Sequence, residues 1–171
     1  KGIGRAIVEI FASEGFDVAI CSRNENDLND LKDYIVSKFS VKVIARKTDV
    51  SVKADVKAFA NDVLTEWEKV DVLVNNAGVF IPGLVHEEED GVLEKMINTN
   101  LYSAYHLSRA FIPGMKKRQA GHIFNISSVA GIQAYPNGGS YGISKFAMNG
   151  MNKALREELK EFGIRVTAIL P

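Results

Sequence analysis

The sequence is short of several things, and each shortage removes a class of function. It has one cysteine, Cys21, which excludes an internal disulfide framework. Its three histidines, His86, His106 and His122, are scattered, so the Cys/His clustering of a zinc site is missing and no metal is expected. No apolar run approaches the roughly 20 residues that a membrane helix needs, so no membrane partner is expected. An excess of charge of one sign is missing as well, since 21 basic residues balance 21 acidic ones. A nucleic-acid binder needs a basic excess, so that partner is not expected either. What remains is a chain of 171 residues, 46% hydrophobic and 25% charged. At roughly 100–200 residues per domain it reads as one soluble, cytoplasmic domain with a core of its own.

Helical and strand-like stretches alternate regularly. Residues 5–14 place Ala6, Ile7, Ile10 and Phe11 on one helical face, and Gly15 ends that helix. Residues 16–22 are a short apolar run of strand type. Asn24 or Asn26 can cap a helix carrying Leu28, Leu31, Ile35 and Phe39. Residues 41–45 read as a second strand, and Ser51 caps a helix reaching about Glu68. Residues 70–74 form a third strand, ending at Asn75-Asn76-Ala77-Gly78. A long helix is expected from about Glu87 to Pro113, its acidic opening Glu87–Asp90 read as a solvated helix start suited to the dipole. Residues 122–126 are the fourth strand, 140–162 a long helix and 164–170 the fifth strand. Strands that are continuous apolar runs, separated by helices, predict a doubly wound parallel sheet of Rossmann type, class α/β.

Gly2-Ile3-Gly4 stands at the start of the first helix, where glycines let a backbone approach a pyrophosphate that the helix N-terminus favours. About 20 residues on, at the position where a dinucleotide site selects its ribose, stand Ser22 and Arg23. An acid there would accept from a ribose 2′-hydroxyl and repel a 2′-phosphate, whereas an arginine offers the phosphate a planar fork. Lys1 adds a second cation at the same end. The reading is NADP(H) in preference to NAD(H), against the plainer one of two surface cations. Asp49 can accept from an adenine amino group or cap the following helix.

Tyr141 and Lys145 are four residues apart on a predicted helix and share one face. A tyrosine titrates near about 10 and is a poor acid or base at neutral pH. A neighbouring ammonium stabilises the tyrosinate and draws it toward the working range. Ser128, at a strand end 13 residues earlier, can donate to a carbonyl oxygen and hold it against the tyrosine. With five tyrosines in the chain, a Tyr-xxx-Lys pair alone is not diagnostic. A rival motif overlaps it: Gly138-Gly139-Ser140-Tyr141-Gly142 matches the Gly-x-Ser-x-Gly elbow of serine hydrolases. That motif needs a strand before the serine and a histidine after it. A turn-forming loop, 134–137, precedes Ser140, and all three histidines lie upstream. Ser140 reads instead as the cap of the helix that carries Tyr141.

Taken jointly, Gly2-Ile3-Gly4, Asn75-Asn76-Ala77-Gly78, Asn100 in an Asn-Leu step, Ser127-Ser128-Val129-Ala130-Gly131 and Tyr141-Gly142-Ile143-Ser144-Lys145 resemble, in order and spacing, the short-chain dehydrogenase/reductase family. The resemblance spans essentially the whole chain and implies a carbonyl reductase that moves a hydride between nicotinamide and a ketone or secondary alcohol. It implies Tyr141 as proton donor or base, Lys145 as the group that activates it and binds the nicotinamide ribose, and Ser128 as the group that orients the substrate. Asn100 would hold a water linking Lys145 to solvent. Asn76, Ala77 and Gly78 would pass the adenosine ribose, Asp49 and Val50 would meet the adenine, and Pro171 would belong to the cofactor contacts. Gln133 and Tyr135 would line the substrate side with Ser128 and Tyr141. A non-catalytic NADP-binding sensor on the same fold is the alternative. The apolar loops 79–82 and 132–136 suit a moderately apolar or planar carbonyl compound, and the resemblance admits 3-oxoacyl thioesters, sepiapterin-like ketones, and simple ketones or alcohols. Because the corresponding helices form the subunit contacts in that family, the resemblance implies a homodimer or homotetramer built on the long helices at 88–112 and 140–161. Compared with the family, residues 1–171 read as one domain cut at both ends, without the first, central strand. The strands at 16–22 and 70–74 are therefore expected to have no partner between them.

Overall fold

A computed structural model of the chain describes residues 2–171. Helix α1 (Gly2–Ser13) leads through Gly15, at φ 83°, into strand β1 (Val18–Ser22). Helix α2 (Glu25–Lys38) then returns to β2 (Val43–Lys47), and α3 (Lys53–Glu66) to β3 (Val72–Asn75). After a loop come α4 (Val92–Met96), a π-helical turn (Ile97–Tyr102) and α5 (Ser103–Arg118). Strand β4 (Gly121–Ile126), a 3₁₀ turn (Val129–Gly131), helix α6 (Gly139–Leu159) and β5 (Ile164–Ile169) complete the order.

All pairings are parallel, as continuous apolar strands joined by helical crossovers require. β1 pairs with β2 from Val18 opposite Val43, and β3, β4 and β5 pair in sequence order. The two groups are separate sheets among the described residues. Between the facing edges of β1 and β3 lies a cavity of about 1040 Å³, lined by Ala19, Cys21, Leu73 and Asn75. The expected gap between these strands is therefore present.

The main core fills the space between α3, α5 and the three-stranded sheet, with Val56, Val63, Met115 and Ile123 almost wholly buried. Burying each such side chain contributes about 1.5–3 kcal/mol. A smaller cluster of Ala12, Val18 and Ile35 joins α1 and α2 to the outer sheet. Under the main sheet runs a polar thread. Asn75 Nδ2 donates to Asn125 Oδ1 at 2.8 Å, and Asn125 Nδ2 donates to Asn152 Oδ1 at 2.9 Å. This ties β3, β4 and α6 into fixed register.

Several local expectations are corrected. The first helix begins at Gly2, so Ile3 and Gly4 lie inside its first turn. Its packed side is Ile7, Val8 and Phe11, which face the cavity, while Ile10 is exposed. Asn24 caps α2 through both the Asn26 and Asp27 N–H groups. Ser51 does not cap α3: its hydroxyl donates to Asp49 at 2.7 Å, and α3 begins after Val52. The helix expected from Glu87 is interrupted because Gly91 takes the left-handed conformation at φ 91°, so helix starts at Val92. It also runs past Pro113, which sits exposed inside α5, where water can serve the Arg109 carbonyl that proline leaves without a donor.

Candidate active site

In a parallel sheet the chain leaves every strand at the same edge, and that edge gathers the residues of interest. β3 delivers Asn76–Val79, β4 delivers Ser127 and Ser128, and α6 brings Tyr141 and Lys145 across beside them. The tie between α6 and β4 is Lys145. Its side chain is 4% exposed, and its Nζ donates to the Ile126 carbonyl at 2.8 Å. The same Nζ stands 5.6 Å from the centroid of the Tyr141 ring. Burial draws the Lys145 pKa down to about 8, because an ammonium away from water loses hydration.

Asn100 occupies the π-helical turn and is fully buried. Its Oδ1 accepts from the Val79 N–H at 2.7 Å. Its Nδ2 donates to the Val79 carbonyl at 3.0 Å and to Ser144 Oγ at 2.9 Å. Ser144 Oγ in turn donates to the Tyr141 carbonyl at 2.7 Å. A single side chain thus clamps the loop after β3 to the first turns of α6. π-Turns are costly and cluster at functional sites, and here the turn places Asn100 at the junction.

Ser128 is half-buried, and its Oγ accepts from the Ala130 N–H at 3.2 Å, which leaves its own proton available to donate. Ser127 is buried, with its hydroxyl directed to the Lys145 carbonyl at 3.5 Å. The Tyr141 ring is half-buried and meets Phe80 edge to face at 4.8 Å. Gln133 and Tyr135 are exposed in the loop between the 3₁₀ turn and α6, with Val129 and Ile132 exposed nearby in sequence.

At the other end, Gly4, Ser22, Arg23, Asp49, Val50, Asn76, Ala77 and Gly78 all border the one cavity between β1 and β3. Gly2 and Ile3 are exposed at the start of α1. Lys1 lies outside the described residues. The Ser51 hydroxyl and backbone N–H hold the Asp49 carboxyl below the usual carboxylate range, with Arg23 adding in the same direction. Pro171, two residues beyond β5, is exposed and does not border the cavity.

The structure adds residues that the sequence did not single out. Val79 and Ile126 act through their backbones and carry no side-chain signal. Ser144 lies inside the Tyr-to-Lys motif and could have been read from it. Glu88 accepts from the Ser140 N–H at 2.8 Å and from the Ser140 hydroxyl. That contact corrects two expectations. Glu88 is not a solvated charge, and Ser140 does not cap α6. Buried in the first helical turn with its hydroxyl given to Glu88, Ser140 also lacks the exposed strand-to-helix setting of a hydrolase nucleophile. No helix among the described residues is long and apolar enough to cross a membrane.

Comparison with known proteins identifies the family and the fold. The short chain dehydrogenase family model matches residues 1–171. The 3-oxoacyl-[acyl-carrier-protein] reductase FabG of Chlamydia muridarum is 35% identical over 175 residues, covering 100% of this chain and 69% of that protein. A metagenomic short-chain oxidoreductase solved in complex with NADP superposes with a TM-score of 0.94 at 35% identity, over 100% of this chain and 77% of that one. L-Sorbose reductase from Gluconobacter frateurii, complexed with NADPH and L-sorbose, gives a TM-score of 0.95 at 30% identity, over 99% of this chain and 65% of its own. The chain belongs to the short chain dehydrogenase family, and it is an oxidoreductase of the Rossmann type.

Proposed function

We propose that the protein moves a hydride, with NADP(H) as cofactor, between the nicotinamide and a ketone or secondary alcohol, with Tyr141 as the general acid or base. The observation that carries the reading is Lys145: a buried ammonium fixed to the Ile126 carbonyl and set against the Tyr141 ring.

The residues present fit a dinucleotide. Gly2 has φ 71° and open space where a side chain would stand, so the α1 N-terminus can receive an anion. A Cβ on Gly4 would meet Asn76 Nδ2 at 2.7 Å. One on Gly78 would come within 3.4 Å of Asn100 Oδ1 and 3.8 Å of Lys145 Nζ. Gly2, Ile3 and Gly4, and Lys1 on sequence grounds, would hold the pyrophosphate, and Ser22 and Arg23 a 2′-phosphate. Asp49 and Val50 would meet the adenine, Asn76–Gly78 its ribose, and Tyr141, Lys145 and Pro171 the nicotinamide half. When bound, the nicotinamide gives or takes the hydride. NADP(H) is preferred because Ser22 supplies no acid to repel a 2′-phosphate and Arg23, exposed at the end of β1, can pair with it. The NADP and NADPH found in the two related structures support this choice.

In the reducing direction the Tyr141 hydroxyl gives its proton to the carbonyl oxygen as charge develops there. The Lys145 ammonium stabilises the negative charge left on the tyrosine oxygen, and more strongly for being out of water. Ser128 donates to the same substrate oxygen and fixes its direction. Asn100 has both amide hydrogens taken by Val79 and Ser144, so a water linking Lys145 to solvent would be held by another Asn100 acceptor, its main-chain carbonyl. The exposed Phe80, Val129, Ile132 and Tyr135, with Gln133, suit a moderately apolar carbonyl compound. Exposed Tyr105 on α5 and Ile143 and Phe146 on α6 support a homodimer or homotetramer built on these helices.

The test is reduction of a ketone panel by the intact protein with NADPH. Tyr141→Phe is expected to lower kcat by about 10²–10⁴-fold with NADPH binding unchanged. Cofactor binding without reduction of any carbonyl, and no effect of Tyr141→Phe, would overturn the reading in favour of a non-catalytic NADP sensor.

A further inference from the structure

We infer that Glu88 is a positioning residue for Tyr141, acting through Ser140 from the loop that follows β3. The inference rests on the reading of Tyr141 as the acid or base.

Helix α6 opens without a side-chain cap of its own, because its N-cap position is Gly138. The first N–H groups of a helix need acceptors, and a carboxylate there also meets the positive end of the dipole. Glu88 supplies it from 52 residues away. Its Oε1 accepts from the Ser140 N–H at 2.8 Å while its Oε2 accepts from the Ser140 hydroxyl. Ser140 is 1% exposed, and the next residue is Tyr141. Both oxygens of one carboxylate are thus spent on the residue that precedes the tyrosine.

The approach is built into the backbone. A Cβ on Gly83 would meet Glu88 Cγ at 2.9 Å, and one on Gly139 would meet Glu88 Cδ at 3.1 Å and collide with its Oε1. Gly139 also sits at φ 37°, where L side chains are strained. Two glycines, Gly83 in the loop after β3 and Gly139 at the start of α6, therefore leave the slot that the glutamate fills. Gly83 pairs with Gly138 in a parallel bridge, and the Gly83 N–H donates to the Asn137 carbonyl at 3.2 Å. The same loop carries Phe80, whose ring meets the Tyr141 ring. Residues 80–88 thus hold Tyr141 from two sides, by an aromatic edge and by a fixed first helical turn.

Geometry, and not bulk stability, is what the contact supplies, and the variants separate the two. Glutamine keeps the length: its carbonyl can accept from the Ser140 N–H while its amide donates to the Ser140 oxygen. Alanine removes both contacts, and aspartate is one methylene short. In the intact protein, Glu88→Ala and Glu88→Asp are expected to lower kcat at least tenfold with KM for NADPH within twofold, and Glu88→Gln to restore kcat to within threefold of wild type. A second readout is independent of turnover. With 3-fluorotyrosine incorporated, the ¹⁹F resonance of Tyr141, assigned by its loss in Tyr141→Phe, is expected to shift or broaden in Glu88→Ala and return in Glu88→Gln. An unmoved resonance in Glu88→Ala, or a kcat within twofold of wild type, would overturn the inference. So would Glu88→Gln behaving as Glu88→Ala does. A moved and rescued resonance in a protein that reduces no carbonyl would leave the positioning intact and reject the reductase reading instead.

Discussion

The Lys145 ammonium donates to the Ile126 carbonyl, the last residue of β4, at 2.8 Å, and the same nitrogen stands 5.6 Å from the Tyr141 ring centroid. One hydrogen of the ammonium therefore pins the helix to the sheet, and two remain for groups in the site. Asn100 does the corresponding work on the other flank by joining Val79 to Ser144. The tyrosine is held between a strand end, a loop and a helical turn, the rigid support that its proposed role as acid or base requires.

Burying Lys145 has a consequence for stability. Folded, it titrates near about 8, whereas an unfolded lysine holds its proton to about 10.4. Between those values the unfolded chain binds more protons than the folded one, so stability rises with pH across that window. The cost of burying the charge is fully present below about pH 8. Its relief by about pH 10.4 amounts to about 3 kcal/mol at 1.36 kcal/mol per pKa unit. Lys145→Met removes the titrating group. Urea unfolding of both proteins at about pH 7.5 and about pH 9.5 should show wild type gaining stability relative to the variant. Parallel changes in the two would contradict the burial argument.

Asn100 offers a test of the clamp. Asn100→Ala leaves the Val79 N–H and carbonyl and the Ser144 hydroxyl without this partner, in a place with little access to water. Unmet buried groups cost about 1–3 kcal/mol each, and partial rearrangement lowers the sum. The expected loss is on the order of 2–4 kcal/mol by denaturant unfolding, with hydrogen exchange quickening first at the Val79 amide. A loss below about 1 kcal/mol, with the Val79 amide still protected, would show that the loop is held by other contacts.

How much of this could be read from the sequence differs from feature to feature, for physical reasons. The strands were legible because parallel strands covered on both faces must be apolar throughout, and the Tyr141–Lys145 pairing because a helix repeats every 3.6 residues. That Ser22, Arg23 and Asn76 would come together beyond the strand ends was legible as well, since parallel strands all end at one edge. The break at Gly91 was not, because a glycine among helix-compatible residues does not declare a left-handed conformation. The Glu88–Ser140 contact was hidden for a different reason. It joins residues 52 apart in sequence, and a run of acids looks the same whether one member is solvated or enclosed between glycines. Ile126 and Val79 act through backbone atoms that every residue possesses.

On the proposed reading, cofactor choice turns on the end of β1, and substitution there should reverse it. Ser22 and Arg23 both border the cavity beside β3, and Arg23 is exposed with its guanidinium able to meet a phosphate. Asp49 carries negative charge near the same place, but it is occupied by Ser51 and influenced by Arg23. An acid substituted at position 22 would accept from a ribose 2′-hydroxyl and repel a 2′-phosphate. Ser22→Asp combined with Arg23→Ala should therefore lower kcat/KM with NADPH and raise it with NADH. A charge-assisted contact contributes about 1.5–3 kcal/mol, so the ratio of the two should change by about 10–100-fold or more. Loss of activity with both cofactors in equal proportion would place the 2′-phosphate elsewhere. Arg23→Lys provides the finer comparison. It keeps the charge but not the fork, and should weaken NADPH binding without improving NADH.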